Sequence, residues 1–260
     1  QTIYITVKML NIGNSMPSNT HNLVYHDPLV TLYTRKDHLM PEIQDKTIHA
    51  VITDPPYGIS FQSNSRVATK KFSKMDSDEY LSQWVTEFLW ECHRILQTPG
   101  ALVLSTRWDV YPKWRIFVES CGFVLKQVWI WYKGDIGGLG DLEGQLAPNT
   151  EWIMFCTKGK FKINHFRRGD LFSFSHTSPG KRWHPIQKPV PLLQEIIKVV
   201  CEGYNDPIIV DPYAGSCSTL MASKTLGIKS IGYELPEDNT QHYVRIAQQV
   251  LTQSVMNLEI

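Results

Sequence analysis

Four consecutive residues, Asp54, Pro55, Pro56 and Tyr57, carry groups that could hold an exocyclic amine on a planar base. The Asp54 carboxylate is a hydrogen-bond acceptor, and the Pro55 carbonyl is a second one, because two prolines cannot stay in a central strand ladder. Tyr57 adds a flat aromatic face. Taken alone, these residues are also typical of an ordinary turn in which the aspartate bonds its own backbone, and that simpler interpretation is the more common one.

A second group of residues could bind a ligand through its backbone. The apolar run 208–210 leads into 211–219, a stretch of small residues that indicates a strand, a tight turn and a helix whose first N–H groups point towards a ligand. Glu234 follows Gly215 by 19 residues, near the spacing at which an acidic residue reaches a ribose hydroxyl in nucleotide-binding βαβ units. For the glycine and the acid alone, a plain loop with an exposed glutamate is an equally good interpretation.

The elements that position these groups follow from the apolar periodicity. Strands and helices alternate, which predicts an α/β fold with a mainly parallel sheet covered by helices on both faces. The predicted strands are 29–33, 48–53, 101–105, 123–132, 151–157, 208–210 and 230–233, and the predicted helices are 37–45, 78–96, 111–121, 190–202, 218–226 and 239–251. Both candidate groups lie just after a strand, where ligands bind in such sheets.

Composition excludes several classes of protein. The 260 residues are 42% hydrophobic, which is enough to bury a full core and excludes disorder of the whole chain. No apolar run approaches the ~18 residues that cross a bilayer, so we expect neither a membrane protein nor a secreted one. The five scattered cysteines form no Cys-x-x-Cys pair, which disfavours a disulfide framework or a zinc site and favours a reducing, cytoplasmic location. The sequence begins with Gln1, so whether it includes the natural start is left open.

Together, the two motifs resemble those of the β class of DNA amino methyltransferases. Residues 54–57 are similar to the catalytic motif of that family, and 184–189 with 211–216 are similar to its S-adenosylmethionine half. The catalytic motif comes first, which is the permuted order of the β class, and the resemblance extends over residues 29–250. It implies a Rossmann-like, S-adenosylmethionine-dependent methyltransferase fold. It also implies methyl transfer to N6 of adenine in DNA, since cytosine-N4 members more often have serine in place of Asp54.

The resemblance assigns roles to individual residues. The implied catalytic residues are Asp54, Pro55, Pro56 and Tyr57, with Tyr57 stacking on an adenine that is flipped out of the duplex. The implied S-adenosylmethionine-binding residues are Asp37, Lys188, Asp211, Pro212, Tyr213, Ala214, Gly215, Ser216 and Glu234. No metal is implied. Cys217 departs from the pattern, because the family usually has a second glycine there, and a cysteine side chain penalises a positive φ that glycine tolerates.

Charge is clustered, although 26 basic residues nearly balance 25 acidic ones over the whole chain. We expect a single methyltransferase catalytic domain, 1–260, with a flexible basic loop at about 60–76 and a small target-recognition region at about 134–183, both flanking the expected active face. The candidate DNA-binding residues in these segments are Arg66, Lys70, Lys71, Lys74, Arg167, Arg168, Lys181 and Arg182. Solvated charged faces are the alternative for both segments.

Other substrates and partners stay open at this point. The same catalytic motif can serve cytosine N4, adenine in RNA or an amide in protein, and a catalytically weak relative that only binds DNA is a further alternative. The family often forms dimers, so a homodimer is left open, as is a restriction endonuclease partner. Double-stranded DNA is the expected partner and the nucleoid the expected place within the cytoplasm. The recognition sequence is not readable from the side chains alone.

Overall fold

A nine-stranded β-sheet with helices packed against it forms the described part of the chain in this computed structural model. The structure describes residues 22–34, 39–56, 78–135, 143–164, 166–175, 188–234, 249, 251 and 252. The strands are β1 (Asn22–His26), β2 (Val30–Thr34), β3 (Ile48–Thr53), β4 (Leu96–Thr106), β5 (Val124–Tyr132), β6 (Thr150–Lys158), β7 (Leu171–Ser173), β8 (Ile208–Asp211) and β9 (Lys229–Glu234). The helices are α1 (Asp78–Ile95), α2 (Tyr111–Ser120), α3 (Val190–Cys201) and α4 (Ser218–Thr225).

The order of the strands creates a point at which the direction of chain crossing reverses. The order is β1-β2-β9-β8-β3-β4-β6-β5-β7, and the five strands from β2 to β4 in this order are parallel. The connection through α1 leads from β3 to its neighbour β4 on one side, whereas α4 leads from β8 to its neighbour β9 on the other. A crevice therefore opens beyond the carboxyl ends of β3 and β8, which is the place where ligands bind in open α/β sheets. The predicted mainly parallel sheet is confirmed.

Side chains of the central strands alternate between two cores, one on each face of the sheet. In β4, Leu102 and Leu104 pack with residues of α1 and α2, whereas Ala101 and Val103 pack with residues of α3. All four side chains are essentially inaccessible to solvent. A strand buried on both faces carries an apolar run rather than a polar–apolar alternation, and this is why sequence periodicity identifies the central strands so clearly.

A buried lysine completes the carboxyl end of α1. Lys158, the last residue of β6, places its Nζ 2.6 Å from the carbonyl oxygen of His93 and 2.7 Å from that of Leu96. The last carbonyls of a helix have no intrahelical donor, and a cation there also complements the helix dipole. Burial lowers the pKa of Lys158 from its usual value. The lysine thus fixes α1, and with it the connection that leads away from β3.

Most of the predicted elements are confirmed to within about two residues. The confirmed elements are α1, α2, α3, α4, β2, β3, β5, β6, β8 and β9. β4 begins at Leu96 rather than at residue 101, because Leu96 pairs with Ile48 before a register shift leads to the pairing of Ala101 with Ala50. Sequence analysis does not predict β1 or β7. The predicted helix 239–251 lies mostly outside the described residues.

The helix predicted for 37–45 is wrong, since the part that the structure describes forms turns. Arg94, near the end of α1, donates hydrogen bonds to the carbonyl oxygens of Met40 at 3.0 Å and Ile43 at 2.9 Å. Glu91 accepts the Met40 N–H at 2.6 Å. These bonds from a neighbouring helix satisfy backbone groups that a helix would otherwise pair internally, so tertiary contacts replace the local preference.

Other features of the described residues bear on the excluded classes of protein. No described helix has both the length and the apolar character needed to cross a membrane. The five cysteines all lie in the described part, where they are buried and form no disulfide. Within the same residues, no cluster of three or more histidine, cysteine, aspartate or glutamate side chains is arranged to hold a metal ion.

Arg94→Met is expected to lower the free energy of unfolding by about 2 to 4 kcal/mol. The substitution removes ion pairs of 2.6 Å to both Glu91 and Asp45, and it leaves the carboxylate of Glu91, which is only 8% exposed, without its cation. Urea denaturation measures the loss. The control is Arg115→Met, which removes an exposed pair with Glu119 and is expected to lower stability much less than Arg94→Met. Equal losses of stability in the two variants would show that the ion pairs of Arg94 contribute no more than the exposed pair of Arg115.

Candidate active site

Asp54 lies immediately beyond the carboxyl end of β3, at the crevice. β3 is buried along its whole length, and the chain leaves the sheet after Thr53, as the two prolines predict. Pro55 is buried, whereas Pro56 is exposed. The Asp54 side chain is 31% exposed, so its carboxylate lies at the boundary between the interior and the solvent. A substrate can reach the carboxylate there while the strand behind it stays fixed.

Asp54 belongs to a group of four charged side chains that alternate in sign. The Nζ atom of Lys188 lies 2.5 Å from Oδ2 of Asp54 and 3.2 Å from Oε2 of Glu151. The other carboxylate oxygen of Glu151 is 2.6 Å from Nζ of Lys133. The two lysine Nζ atoms lie 5.1 Å (Lys133) and 5.8 Å (Lys188) from the ring centroid of Trp131, which is buried. We call these residues, Asp54, Lys188, Glu151, Lys133 and Trp131, the charge network.

The pKa shifts in the charge network follow from these pairings. Burial alone would lower the pKa of Lys188, but the charges of Asp54 and Glu151 outweigh it and raise the pKa above the usual value. Burial alone would raise the pKa of Glu151, but Lys188 and Lys133 hold it well below the usual range. Both side chains are therefore ionised at neutral pH.

Sequence analysis assigns Lys188 to cofactor binding and does not single out Glu151, Lys133 or Trp131. Glu151 lies near the amino end of β6, which is antiparallel to β4 and so begins at the edge where β3 and β4 end. Trp131, at the carboxyl end of β5, pairs with Glu151 in the sheet. Inspection of the residues that follow each predicted strand identifies neither Glu151 nor Trp131, unless the antiparallel direction of β6 is known. A glutamate that opens an otherwise apolar strand is the local signal.

The turn after β8 is held by backbone bonds to β9. The Ala214 N–H donates to the carbonyl oxygen of Tyr233 at 2.9 Å, and the Gly215 N–H donates to Oε2 of Glu234 at 2.6 Å. Gly215 has φ +50°, in the left-handed region that glycine adopts without strain. The predicted partners, glycine turn and acidic strand end, are therefore in direct contact.

Cys217 lies in the left-handed region, at the position where the family resemblance leads us to expect a glycine. Its φ is +61° and its ψ is 24°, and its N–H donates to the carbonyl oxygen of Ala214 at 2.6 Å. The Cys217 side chain is fully buried in a small apolar cluster. The other buried members of that cluster are Val30, Leu32, Ala214, Leu220 and Leu251. The backbone thus keeps the shape that glycine favours, and packing of the thiol offsets part of the strain.

Asp211, the last residue of β8, is a buried carboxyl group, and its hydrogen-bond partners among the described residues include no cation. Burial raises its pKa to about 6, although the Thr219 hydroxyl and the Tyr213 N–H, 3.0 Å from Oδ1, favour the charged form. The charge of Asp54 raises the pKa further, which shows that the ends of β3 and β8 are electrostatically coupled. A carboxyl group in this state can gain a cationic partner.

The remaining candidates in the turn have structural contacts. Pro212 is buried, and the Tyr213 ring packs against two aromatic residues of α1. Ser216 is buried, with its hydroxyl 2.9 Å from that of Ser218. These three side chains shape the turn, while Asp211 and Glu234 supply carboxylate groups beside it.

A small cavity lies between α3 and the carboxyl ends of β3 and β4. Its polar lining includes Thr53, Asp54 and Lys188 from one side and Thr219, in the first turn of α4, from the other. The rest of the lining is mostly apolar. The structure therefore brings the candidate catalytic residue to the start of the glycine-turn helix, as the position of both motifs after strands predicts.

The two described DNA-binding candidates differ in their contacts. Arg167 is exposed. Arg168 pairs with Glu195 of α3 at 3.0 Å, and its guanidinium lies 4.3 Å from the centroid of the Phe172 ring. The candidates outside the described residues are Asp37, Tyr57, Arg66, Lys70, Lys71, Lys74, Lys181 and Arg182.

Comparison with known proteins identifies the family. The sequence model of the DNA methylase family matches residues 48–249, which include both motifs and the whole charge network. The chain belongs to the DNA methylase family. The type II methyltransferase M.BglII of Bacillus subtilis is 25% identical to this methylase, over 93% of this chain and 72% of its own length.

Solved structures agree with the fold of this methylase. The complex of M1.HpyAVI with S-adenosylmethionine has a TM-score of 0.60 at 23% identity, and covers 81% of this chain and 90% of its own. The cytosine-N4-specific PvuII DNA methyltransferase has a TM-score of 0.67 at 16% identity, and covers 90% and 96% of the two chains. The predicted S-adenosylmethionine-dependent methyltransferase fold is confirmed.

Asp211→Asn is expected to stabilise the methylase at high pH but not at low pH. Because the folded-state pKa of about 6 lies above the ordinary value of about 4, the unfolded chain ionises first, so this group costs the native state stability as the pH rises from about 4 to 6. The gain should reach about 2 kcal/mol at pH 8 and vanish below pH 4. Urea denaturation across this range measures it.

Asp27→Asn provides a control of opposite sign. Burial opposes ionisation of Asp27, but Lys224 and other donors hold its pKa at about 2, so its stabilising contribution is present at neutral pH and is lost in acid. The control should therefore lose stability at pH 8. The same trend in both variants would contradict the account of Asp211.

Cys217→Gly is expected to be more stable than Cys217→Ala by about 1 kcal/mol, although glycine has the smaller side chain. Both variants lose the buried thiol, but only alanine keeps a Cβ at the positive φ. Thermal or urea denaturation compares the two. A more stable alanine variant would show that the turn relaxes out of the left-handed region.

Proposed function

We propose that this protein transfers the methyl group of S-adenosylmethionine to the N6 amino group of adenine in double-stranded DNA. The observation that carries the proposal is the position of the Asp54 carboxylate. It lies at the end of β3, bonded to Lys188 and lining a cavity with the first turn of α4, beside the glycine turn. An acceptor for an amine and a turn suited to a methyl donor therefore face one crevice.

The groups around the glycine turn suit S-adenosylmethionine. Asp211 is a buried acid whose raised pKa would return towards its ordinary value beside the cofactor's amino group. Glu234 accepts one bond from Gly215, and a carboxylate has further acceptor sites for ribose hydroxyls. The chemistry that the cofactor supplies when bound is a methyl group activated by a sulfonium. Asp211, the 212–216 turn and Glu234 would hold it.

The chemical demand on the protein comes from the amine. The lone pair of adenine N6 is delocalised into the ring, so it becomes nucleophilic only when the nitrogen turns tetrahedral. The Asp54 carboxylate and the Pro55 carbonyl would each accept a hydrogen bond from one N–H group of the amine in that geometry. These bonds would stabilise the positive charge that develops on the nitrogen. No proton needs to be removed before the transfer, because the methylated amine is a cation that then loses one proton to water to leave the neutral product. Asp54, paired with Lys188, needs only to be held at hydrogen-bond distance.

Adenine N6 is the preferred acceptor because the chain has Asp54 at the position where cytosine-N4 enzymes more often have serine. The second candidate is cytosine N4, and the likeness to the cytosine-N4-specific PvuII enzyme supports it. Both bases present an exocyclic amine to the same two acceptors. The reaction type is therefore more strongly supported than the base.

DNA would approach the crevice along the basic segments. We propose that Tyr57 stacks on the flipped base, and that the 60–76 loop and the 134–183 region contact the duplex within a single catalytic domain. Exposed Arg167 suits a direct contact, whereas Arg168 is held by Glu195 and would act by fixing the segment that carries Arg167.

Asp54→Ala is expected to reduce methyl transfer by about 10²- to 10³-fold while cofactor and DNA dissociation constants change by less than about threefold, because the carboxylate acts in the transition state. Single-turnover transfer of labelled methyl groups to DNA measures the rate, and mass spectrometry of digested nucleosides identifies the product. N6-methyladenine is the expected product of the parent.

Asp109→Ala is the matched control, since Asp109 is also 31% exposed and also pairs with a basic residue, at the end of the neighbouring strand. It should keep parental activity. If the product is N4-methylcytosine, the target base is cytosine instead of adenine, and the proposed mechanism is unchanged. Parental activity in Asp54→Ala would exclude the proposed mechanism.

A further inference from the structure

Glu151 is the member of the charge network whose carboxylate is bonded on both sides, and Lys188 separates it from Asp54. Lys188 binds one of its oxygens at 3.2 Å and Lys133 binds the other at 2.6 Å. Its side chain is 22% exposed. The backbone of Glu151 is fixed as well, because it pairs with Trp131 of β5 inside the sheet. Glu151 is thus a rigid anion at the edge of the crevice.

Lys188 transmits this rigidity to Asp54. A lysine ammonium has three N–H donors on a flexible stem, so one ion pair alone would leave it free to rotate. Here Nζ is bonded to Glu151 on one side and to Asp54 on the other, and the Trp131 ring lies beneath it. The Lys188 side chain is 12% exposed, which leaves little space for another orientation.

Asp54 needs such a support. It lies just beyond the end of β3, and the last torsion of an aspartate side chain has a broad energy minimum. A carboxylate that must accept an N–H bond during methyl transfer loses effectiveness when it is misplaced by about 1 Å. One of its oxygens can hold Lys188 while the carboxylate accepts a bond from the substrate.

We propose that Glu151 positions the Asp54 carboxylate through Lys188, so that Glu151 and Lys188 are positioning residues for methyl transfer. This inference rests on the proposed function, in which Asp54 holds the target amine. It gives Lys188 a different partner from the cofactor that the family resemblance implies. Glu151 touches neither substrate nor cofactor in this account.

A double-mutant cycle tests the inference, with Glu151→Gln, Lys188→Gln and the double variant. Glu151→Gln should lower the single-turnover rate by about 10- to 100-fold, because it loosens Lys188 and thereby Asp54. In the Lys188→Gln background, the same substitution should lower the rate by less than about twofold, because the link to Asp54 is already broken. Calorimetry should give S-adenosylmethionine dissociation constants within about threefold of the parent for both single variants.

The comparison of the rate with cofactor affinity provides a readout that separates a positioning role from a purely structural one. A structural loss would lower the rate and the affinity together, whereas misplacing the Asp54 carboxylate would lower the rate alone.

Asp27→Asn is the matched control for breaking a buried lysine–carboxylate pair. Asp27 and Lys224 are also 2.5 Å apart, with side chains 18% and 5% exposed, but they lie outside the crevice. This variant should lose stability while its rate and its cofactor affinity stay parental. Glu151→Asp keeps the charge on a shorter side chain, so its rate should lie between those of the parent and Glu151→Gln. It replaces Glu151→Gln in the cycle if that variant does not fold.

Three outcomes would overturn the inference. Glu151→Gln with the parental rate would show that Asp54 needs no such support. Fully additive losses in the cycle would show that Glu151 does not act through Lys188. A loss of cofactor affinity equal to the loss of rate would return Lys188 to cofactor binding. The cycle measures methyl transfer to any base, so its outcome does not depend on whether the base is adenine. Asp54→Ala, measured in parallel, tests the proposed function separately.

Discussion

The reversal of chain crossing between β3 and β8 is the constraint on which the site depends. Because α1 and α4 lead away from these two strands in opposite directions, a crevice is left beyond their carboxyl ends. Asp54 and Asp211 are far apart in sequence, yet each follows or ends one of these neighbouring strands, and the charge of Asp54 raises the pKa of Asp211. The apolar strands that lead to these two residues are buried on both faces, so the backbone that carries the two carboxyl groups is rigid.

Burial of charge is the second constraint on the site. Taking an ion out of water is unfavourable unless an opposite charge and hydrogen bonds replace the lost hydration. The charge network meets this condition with two acids and two lysines that alternate in space. Asp211 has hydroxyl and N–H partners instead of a lysine, and its pKa is raised for that reason, whereas that of Glu151 is lowered. At this edge of the sheet, Asp211 is therefore an acid that a cation would stabilise, whereas Asp54 and Glu151 are already paired with lysines.

Sequence reasoning recovers what local patterns encode. The central strands, four helices, Asp54 and the glycine turn with Glu234 follow from apolar runs, prolines, glycine and spacing. Glu151 and Lys133 do not, because their importance depends on β6 and β5 running antiparallel to each other at the same edge. The error at 37–45 has the same origin, since bonds from Arg94, which is distant in sequence, determine the backbone there. Long-range pairing, rather than local preference, sets these features.

The bond between Gly215 and Glu234 also bears on the thermodynamics of ligand capture. With the Gly215 N–H already bonded at 2.6 Å and the Ala214 N–H bonded to β9, the turn is ordered by the protein's own groups. The conformational entropy of this segment is lost during folding and not at the moment of association. A ligand that docks there keeps more of its contact energy as affinity, as expected for a preorganised site rather than one that folds around its guest.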